Sequence, residues 1–169
     1  MGKIKAILIS EKISSNSKEA QNLFATKKFG EKSGDKILYS LSEALFLVQD
    51  KKMEIKDYKD KILSENEILK KFERIDKKFE NKFLVFKDLR KKGYIVKTAL
   101  KFGAEFRVYE KRKGHSRWIL FPVSENKSMT WQDFSAKNRV AHSTKKNLLI
   151  AIVDEEAKVS YYEIRWIQP

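Results

Sequence analysis

Three side chains in the C-terminal half of the sequence could together cleave RNA without a metal ion. They are Tyr109, His115 and Lys146. A tyrosine or a similar group can take the proton of a ribose 2′-hydroxyl, and an imidazolium can give a proton to the departing 5′ oxygen. An ammonium group can offset the negative charge that builds on the phosphate. These residue types therefore indicate transesterification at a phosphodiester, provided that the fold brings them together.

Each of these residue types alone has a more ordinary explanation. A tyrosine at a strand end usually packs its ring, and a lysine beside an apolar strand is usually a solvated edge charge. A lone histidine is more often incidental than catalytic, although His115 shares its loop with Lys111, Arg112, Lys113 and Arg117. The co-occurrence matters because all three are predicted at strand ends of one β-rich module.

The charge balance favours a polyanionic partner. The chain has 169 residues, with 37 Lys and Arg against 23 Asp and Glu, and a formal net charge of +14. Lysine and glutamate enrichment without cysteine is also typical of thermophilic proteins. Even so, a charge of this size on a short chain favours nucleic acid, because Lys and Arg gain affinity by releasing phosphate counterions.

Several other site classes are not expected. The sequence has no cysteine and only two histidines, His115 and His142, which do not stand at metal-ligand spacing. It has neither a glycine-rich phosphate loop nor a Gly-x-Ser-x-Gly motif. We therefore expect no metal and no cofactor. The lack of a long apolar run or signal peptide predicts a cytoplasmic protein without membrane contact.

The chain is predicted to divide near residue 80 into two α+β parts. In residues 1–80, Ile4–Ile9 reads as a strand and Ser14–Asp35 as loop with a short hairpin. Capping boxes at Ser40–Glu43 and Ser64–Glu67 each precede apolar residues at helical spacing, the second series ending at Phe79.

Residues 81–169 predict a mixed sheet flanked by helices. Asn81–Lys92 is predicted as a helix capped by Gly93, and Thr130 begins another. The predicted strands, the third of them stopped by Pro122, are Tyr94–Thr98, Glu105–Tyr109, Arg117–Phe121, Leu148–Val153 and Val159–Ile167.

Segments across most of the chain resemble the archaeal tRNA-splicing endonucleases, also called tRNA-intron lyases. Lys101–Tyr109 (KFGAEFRVY) is similar to the KFGADF-x-VY segment of that family. Arg139–Lys146, followed by Leu148–Val153, resembles its second signature. Leu41–Leu47 (LSEALFL) is similar to its L-x-EA-x-L helix. One such segment would be weak support, but together they are specific.

The resemblance implies a small N-terminal α/β domain, residues 1–80, and a nuclease-like catalytic domain, residues 81–169. It implies metal-independent cleavage of pre-tRNA at bulge-helix-bulge junctions, giving 2′,3′-cyclic phosphate and 5′-hydroxyl ends. Tyr109 would be the general base, His115 the general acid and Lys146 the residue that stabilises the transition state. Lys145 takes that role if the strand is shifted by one residue.

The resemblance also implies contacts with the RNA. Arg139, in the matching signature, is the candidate for stacking on a flipped bulge base, and Arg165 is a weaker one. The loop from Tyr109 to His115 is shorter than the family pattern, which affects how His115 reaches the scissile phosphate. The alternative functions are a non-catalytic RNA-binding module and a structural subunit of such a complex.

Assembly is predicted from the C-terminal strand and the turn before it. Val159–Ile167 is aromatic and, at a sheet edge, would invite pairing with another copy. Asp154, Glu155 and Glu156 form either a simple polar hairpin turn or, as the resemblance implies, an acidic loop that docks on a neighbouring subunit. Lys158 stands where another acid is expected. We expect a homo-oligomer (dimer or tetramer) or a heterotetramer with a non-catalytic second subunit.

Overall fold

A computed structural model of the chain describes residues 2–110 and 114–169. The chain divides into two compact units, residues 1–80 and 81–169. Each unit has its own five-stranded sheet, so each is described by itself.

The first unit is a sheet with three helices. The sheet has the order β3-β4-β2-β1-β5, in which β1 and β5 run parallel and the other pairs run antiparallel. The predicted first strand is confirmed. The five strands are β1 (Ile4–Ile9), β2 (Lys12–Ser15), β3 (Glu31–Ser33), β4 (Lys36–Tyr39) and β5 (Met53–Lys56).

Both predicted capping boxes are present. Ser40 begins α2 (Leu41–Gln49), and its hydroxyl accepts the backbone N–H of Glu43, whose carboxylate accepts the N–H of Ser40. Ser64 and Glu67 repeat the arrangement at the start of α3 (Glu65–Ile75). These boxes satisfy backbone donors that a helix start leaves without partners, which explains why the sequence located the starts of both helices.

One helix was missed inside the segment predicted as loop and hairpin. Helix α1 covers Lys18–Lys27, and Ser17 caps its start by accepting the N–H of Ala20. Only Ala20 and Leu23 are buried along it, so the apolar periodicity is short. Its end is marked by Lys28, which adopts the left-handed conformation (φ 58°) usually given to glycine. The two signals that predict a helix, its apolar periodicity and a glycine at its end, were therefore weak or missing here.

The helix predicted to reach Phe79 ends earlier. Helix α3 stops at Ile75, and Phe79 begins α4 (Phe79–Lys91) after a turn. The Phe79 ring instead meets Phe72 edge-on, with ring centroids 5.4 Å apart. The helical spacing of apolar residues continues to Phe79 because Phe72 and Phe79 are both buried in the core, but the helix itself ends before Phe79.

The second unit is a mixed sheet with the order β10-β9-β8-β7-β6. Strands β8 and β9 run parallel, joined through α5 (Trp131–Ser143), and the other pairs run antiparallel. The strands are β6 (Ile95–Thr98), β7 (Phe106–Tyr109), β8 (Ser116–Ser124), β9 (Asn147–Val153) and β10 (Val159–Ile164).

Helices cover both faces of this sheet. On one face, Ile119, Leu148 and Ile150 form a core with Ala141 of α5. Successive strand residues point to opposite faces, so Leu120 and its pairing partner Phe106 belong to the other face, where Phe106 lies 6.0 Å from Phe86 of α4. The two layers fix the sheet between α4 and α5.

Two predicted strand ends were wrong. Pro122 does not stop the third strand of this unit, because β8 continues to Ser124. The pairing of β8 with β7 ends at Leu120, so Pro122 lies where one side of β8 has no neighbouring strand, a position that tolerates the missing N–H. The last strand ends at Ile164 instead of Ile167, at the residue that pairs with Leu148 near the start of β9.

No helix in the described residues is both long and apolar enough to cross a membrane.

The contact between α4 and β10 predicts a measurable contribution to stability. The hydroxyl of Tyr161 donates to the carboxylate of Asp88 at 2.6 Å, and Lys92 lies 4.9 Å above the Tyr161 ring. Tyr161→Phe keeps the ring contact and removes the hydrogen bond to a charged acceptor, which should lower the free energy of unfolding by about 1.5 kcal/mol. Chemical denaturation measures this change.

Tyr162→Phe is the matched control for that experiment. Tyr162 is 57% exposed in the same strand, so its change should stay within about 0.5 kcal/mol. Equal losses in the two variants would contradict the structural role given to the Tyr161–Asp88 bond.

Candidate active site

The topology of the second unit brings three strand ends to one edge of the sheet. Strand β7 ends at Tyr109, and its antiparallel neighbour β8 begins at Ser116. Strand β9 lies parallel to β8 and begins at Asn147. The three predicted catalytic residues therefore stand at the same edge: Tyr109 in the last position of β7, His115 just before β8, and Lys146 just before β9.

The pairing register sets how far apart they are. Tyr109 pairs with Ser116, and in the next rows Val108 pairs with Trp118, which pairs with Asn147. Neighbouring strands lie about 4.8 Å apart, so the backbones at Tyr109 and Asn147 are separated by roughly 10 Å. Tyrosine and lysine are long side chains, and a phosphate could sit between their polar ends.

A β-bulge in β8 interrupts its pairing with β7 next to Tyr109. The register shifts between Val108 and Tyr109, so that Arg117 of β8 is passed over in the pairing. Bulges at sheet edges commonly re-aim a side chain beside a functional site. Tyr109 is half-buried, and the guanidinium of Arg107 lies 5.9 Å from its ring centroid.

His115 is exposed and directly precedes Ser116, the first residue of β8. Of the basic neighbours predicted for its loop, Lys111, Arg112 and Lys113 lie outside the described residues. Arg117 is described, and it forms ion pairs with Glu110 and Glu163.

Lys146 is positioned by the way α5 ends. The helix finishes in a Schellman motif, in which the N–H of Lys145 donates to the carbonyl of His142 and the N–H of Lys146 to that of Ala141. Lys145 takes the left-handed position of this motif (φ 55°) and is exposed. Lys146 is half-buried, and its Nζ donates to the carbonyl of Thr144 at 3.0 Å. The motif thus gives the two adjacent lysines different surroundings.

A pocket of about 170 Å³ opens beside Lys146. The ring of His142 meets that of Trp166 there, with centroids 4.7 Å apart. Sequence reasoning placed His142 correctly at the end of a helix but missed the pocket. Its walls come from α5, the turn that follows it, the start of β9, the end of β10 and the tail after β10, namely Asn138, Ala141, His142, Lys145, Lys146, Asn147, Leu148, Ile164 and Trp166.

The two arginines predicted to bind RNA are each close in the sequence to one residue of this contact. Arg139 is exposed on α5, one helical turn before His142. Arg165 directly precedes Trp166, and its side chain is 62% exposed. Because His142 and Trp166 touch, the segments that carry Arg139 and Arg165 are brought together at the pocket.

Glu163 links the ends of three strands at this edge. Its Oε1 accepts from Asn147 of β9 at 2.5 Å, from Arg165 at 3.3 Å and from Arg117 of β8 at 3.4 Å. Partial burial opposes ionisation of this carboxyl, but the hydrogen bonds from Arg165 and Asn147 outweigh it and lower the pKa of Glu163 to about 2. No feature of the sequence pointed to this residue, because two of its three partners, Asn147 and Arg117, come from other strands.

The predicted acidic turn lies at the opposite edge of the sheet. It follows β9, whose seven residues separate it from Lys146 by roughly 20 Å. The backbone N–H of Glu155 donates to the carboxylate of Glu125, and the side-chain amide of Asn126 donates to the carboxylate of Glu155. Exposed Glu156 pairs with Lys158 at 2.5 Å. The turn is ordered by local bonds, and Lys158 offsets part of its charge.

In residues 2–110 and 114–169, no group of three or more histidine, cysteine, aspartate or glutamate residues is placed to hold a metal ion.

The Glu163 network predicts a carboxyl that titrates far below its ordinary range. A depressed pKa contributes stability above the unfolded value of about 4.3, and that contribution is lost as the pH falls through about 2. Carboxyl ¹³C NMR should give a midpoint near 2 for Glu163, and Arg165→Met should raise it. Glu67, whose pKa is lowered to about 2 chiefly by Lys61, is the internal control and should not move. A Glu163 midpoint near 4.3 in the wild type would contradict the network.

Comparison with known proteins identifies the family of this chain. Residues 4–69 match the model of the tRNA intron endonuclease N-terminal domain, and residues 79–161 match that of the tRNA intron endonuclease catalytic C-terminal domain. Curated relatives include the tRNA-splicing endonuclease of Pyrococcus horikoshii, 41% identical over 92% of this chain and 91% of that protein. That of Nanoarchaeum equitans is 42% identical over 76% of this chain and 88% of its own. The chain therefore belongs to the tRNA intron endonuclease family, as a member with both the N-terminal and the catalytic domain.

Proposed function

We propose that this protein cleaves intron-containing pre-tRNA at bulge-helix-bulge junctions by metal-independent transesterification. The observation that carries the proposal is the shared sheet edge, which gathers Tyr109, His115 and Lys146 from three strand ends. Membership of the family supports the substrate class.

In the proposed reaction the ribose 2′-oxygen attacks the adjacent phosphorus, and the bond from phosphorus to the 5′ oxygen breaks. Tyr109 takes the proton of the 2′-hydroxyl, and His115 gives a proton to the leaving 5′ oxygen. Lys146 offsets the charge on the non-bridging oxygens as the phosphorane forms. The products are a 2′,3′-cyclic phosphate and a 5′-hydroxyl, so neither water nor an oxidant is consumed.

Cleavage of this kind needs a nucleotide held out of the helical stack, so that its 2′-oxygen can line up with the phosphorus. Arg139 and Arg165 are proposed to grip an unpaired bulge base through their planar guanidinium groups. The net charge of +14 supplies general attraction for the phosphate backbone.

The active form is proposed to be an oligomer, either a homodimer or homotetramer, or a heterotetramer with a non-catalytic second subunit. In the part of the chain that the structure describes, β10 is an edge strand whose Tyr162 is 57% exposed. The turn formed by Asp154, Glu155 and Glu156 is acidic, and a second copy of this basic chain could bind it through lysines and arginines.

The proposed location of this RNA-processing enzyme is the cytoplasm.

The first test is incubation of the purified chain with a bulge-helix-bulge RNA in excess EDTA. We expect cleavage at both junctions, with 2′,3′-cyclic phosphate ends shown by their resistance to a phosphatase that removes only 2′- or 3′-monoesters. Light scattering on the same sample gives the oligomeric state. Cleavage that EDTA abolishes would contradict the mechanism. Cleavage only after co-expression with a second subunit would favour the heterotetramer.

Single substitutions then assign the roles. His115→Ala should lower the cleavage rate by about 10²- to 10⁴-fold, the usual contribution of a positioned proton donor, and should leave RNA binding intact. An unchanged rate would remove His115 from the mechanism. Equal loss of RNA binding would favour the alternative of an RNA-binding module.

The two adjacent lysines can be separated by using the turn that holds them. Lys145→Gly suits the left-handed backbone at that position and should stabilise the protein by about 1 kcal/mol with little change in cleavage. Lys146→Ala should instead lower the rate by about 10²-fold or more. The reverse pattern would assign the catalytic role to Lys145.

A further inference from the structure

The carboxylate of Glu163 collects donors from three separate segments at the site edge. Arg117 comes from β8, Asn147 from β9 and Arg165 from the tail after β10, all bonded to the same oxygen. Arg117 extends the network because its other terminal nitrogen donates to Glu110, at the end of β7. The side chains of Glu110 and Glu163 are only 19% and 27% exposed. The result is a charge network that crosses the edge from β7 to β10.

Glu110, Asn147 and Arg117 lie within two residues of Tyr109, Lys146 and His115, which the proposed reaction uses. Glu110 follows Tyr109, and Asn147 follows Lys146. Arg117 comes two residues after His115, and Arg165 is itself a proposed RNA contact. A rigid tie between these members therefore fixes the backbone on which all the proposed site residues stand.

Glu163 points away from the pocket beside Lys146. In the β9–β10 ladder, Glu163 pairs with Leu149, whereas Ile164 pairs with Leu148. Ile164 and Leu148 line the pocket, and successive strand residues point to opposite faces. Glu163 thus lies on the other face of the sheet, where it can act on Tyr109, His115 and Lys146 only through their neighbours.

Because Glu163 is negatively charged, an effect on the geometry of the site can be distinguished from an effect on RNA binding. A carboxylate close to a phosphate-binding edge repels the RNA. Removing that charge would, by electrostatics alone, strengthen binding. A drop in rate on its removal would therefore have to come from lost geometry.

We propose that Glu163 is a positioning residue, which holds the starts of β8 and β9 and the Arg165 segment in the arrangement needed for phosphodiester cleavage. This inference rests on the proposed function. Its physical basis is that small displacements of reacting groups cost large factors in rate, about 10²-fold for roughly 1 Å.

The test is steady-state cleavage of a bulge-helix-bulge RNA by Glu163→Gln, the wild type and a control. Glutamine keeps the size and an acceptor oxygen but loses the charge that holds two arginines. We expect kcat to fall by about 10- to 100-fold, with KM unchanged or lower. Glu54→Gln is the matched control, because it removes a carboxylate from a single exposed ion pair, with Lys3, in the first unit. Its kcat should stay within about 2-fold of the wild type.

Glu163→Asp provides a second variant and is decisive if the glutamine variant melts below the assay temperature. It retains the charge, so its kcat should lie between those of the wild type and Glu163→Gln. A kcat within about 2-fold of the wild type in every one of these variants that is folded at the assay temperature, or a raised KM with unchanged kcat, would overturn the positioning role. Failure of the wild type to cleave would instead overturn the proposed function.

Discussion

The parallel pairing of β8 with β9 is the constraint on which the candidate active site depends. Parallel neighbours need a crossover connection, and α5 provides it by returning the chain to the edge where β8 begins. If β9 ran antiparallel to β8, Lys146 would lie at the far edge, roughly 30 Å away across the nine residues of β8. The Schellman motif at the end of α5 then completes the placement, because it sets the residue at which the helix becomes a strand.

The two edges and the two faces of this sheet take different tasks. One edge carries the strand ends with the proposed catalytic groups, and the opposite edge carries the acidic turn at Asp154, which is proposed for assembly. The α5 face holds the pocket with His142 and Trp166, while Glu163 lies on the other face and ties the strand ends together. The excess of positive charge can therefore attract RNA while paired carboxylates keep individual arginines in place.

Local signals in the sequence predicted much of the fold. Both capping boxes, the start of α5 at Thr130 and the glycine cap of α4 at Gly93 are where the sequence placed them, since each depends on a few adjacent residues. Helix α1 was missed because its apolar face is short. The end of β8 was predicted wrongly at Pro122, because a strand tolerates proline where its neighbour, here β7, has already ended. The pattern of strands predicted that Tyr109, His115 and Lys146 lie at strand ends of one module, whereas their roles in a common site were expected from the resemblance. Sequence alone shows neither the pairing register nor the network around Glu163, because both join residues far apart in the chain.

The proposed mechanism requires that Tyr109, His115 and Lys146, at one edge of the sheet, all reach a single phosphate. A crystal structure with a bulge-helix-bulge RNA that has 2′-deoxy sugars at the cleavage positions tests it most directly, because such an RNA binds without being cut. We expect the Tyr109 hydroxyl to face the 2′ position, His115 to lie near the 5′ oxygen, and the Lys146 ammonium to contact a non-bridging oxygen, each within about 3.5 Å. A scissile phosphate bound away from this edge, or one that Lys146 does not reach, would contradict it.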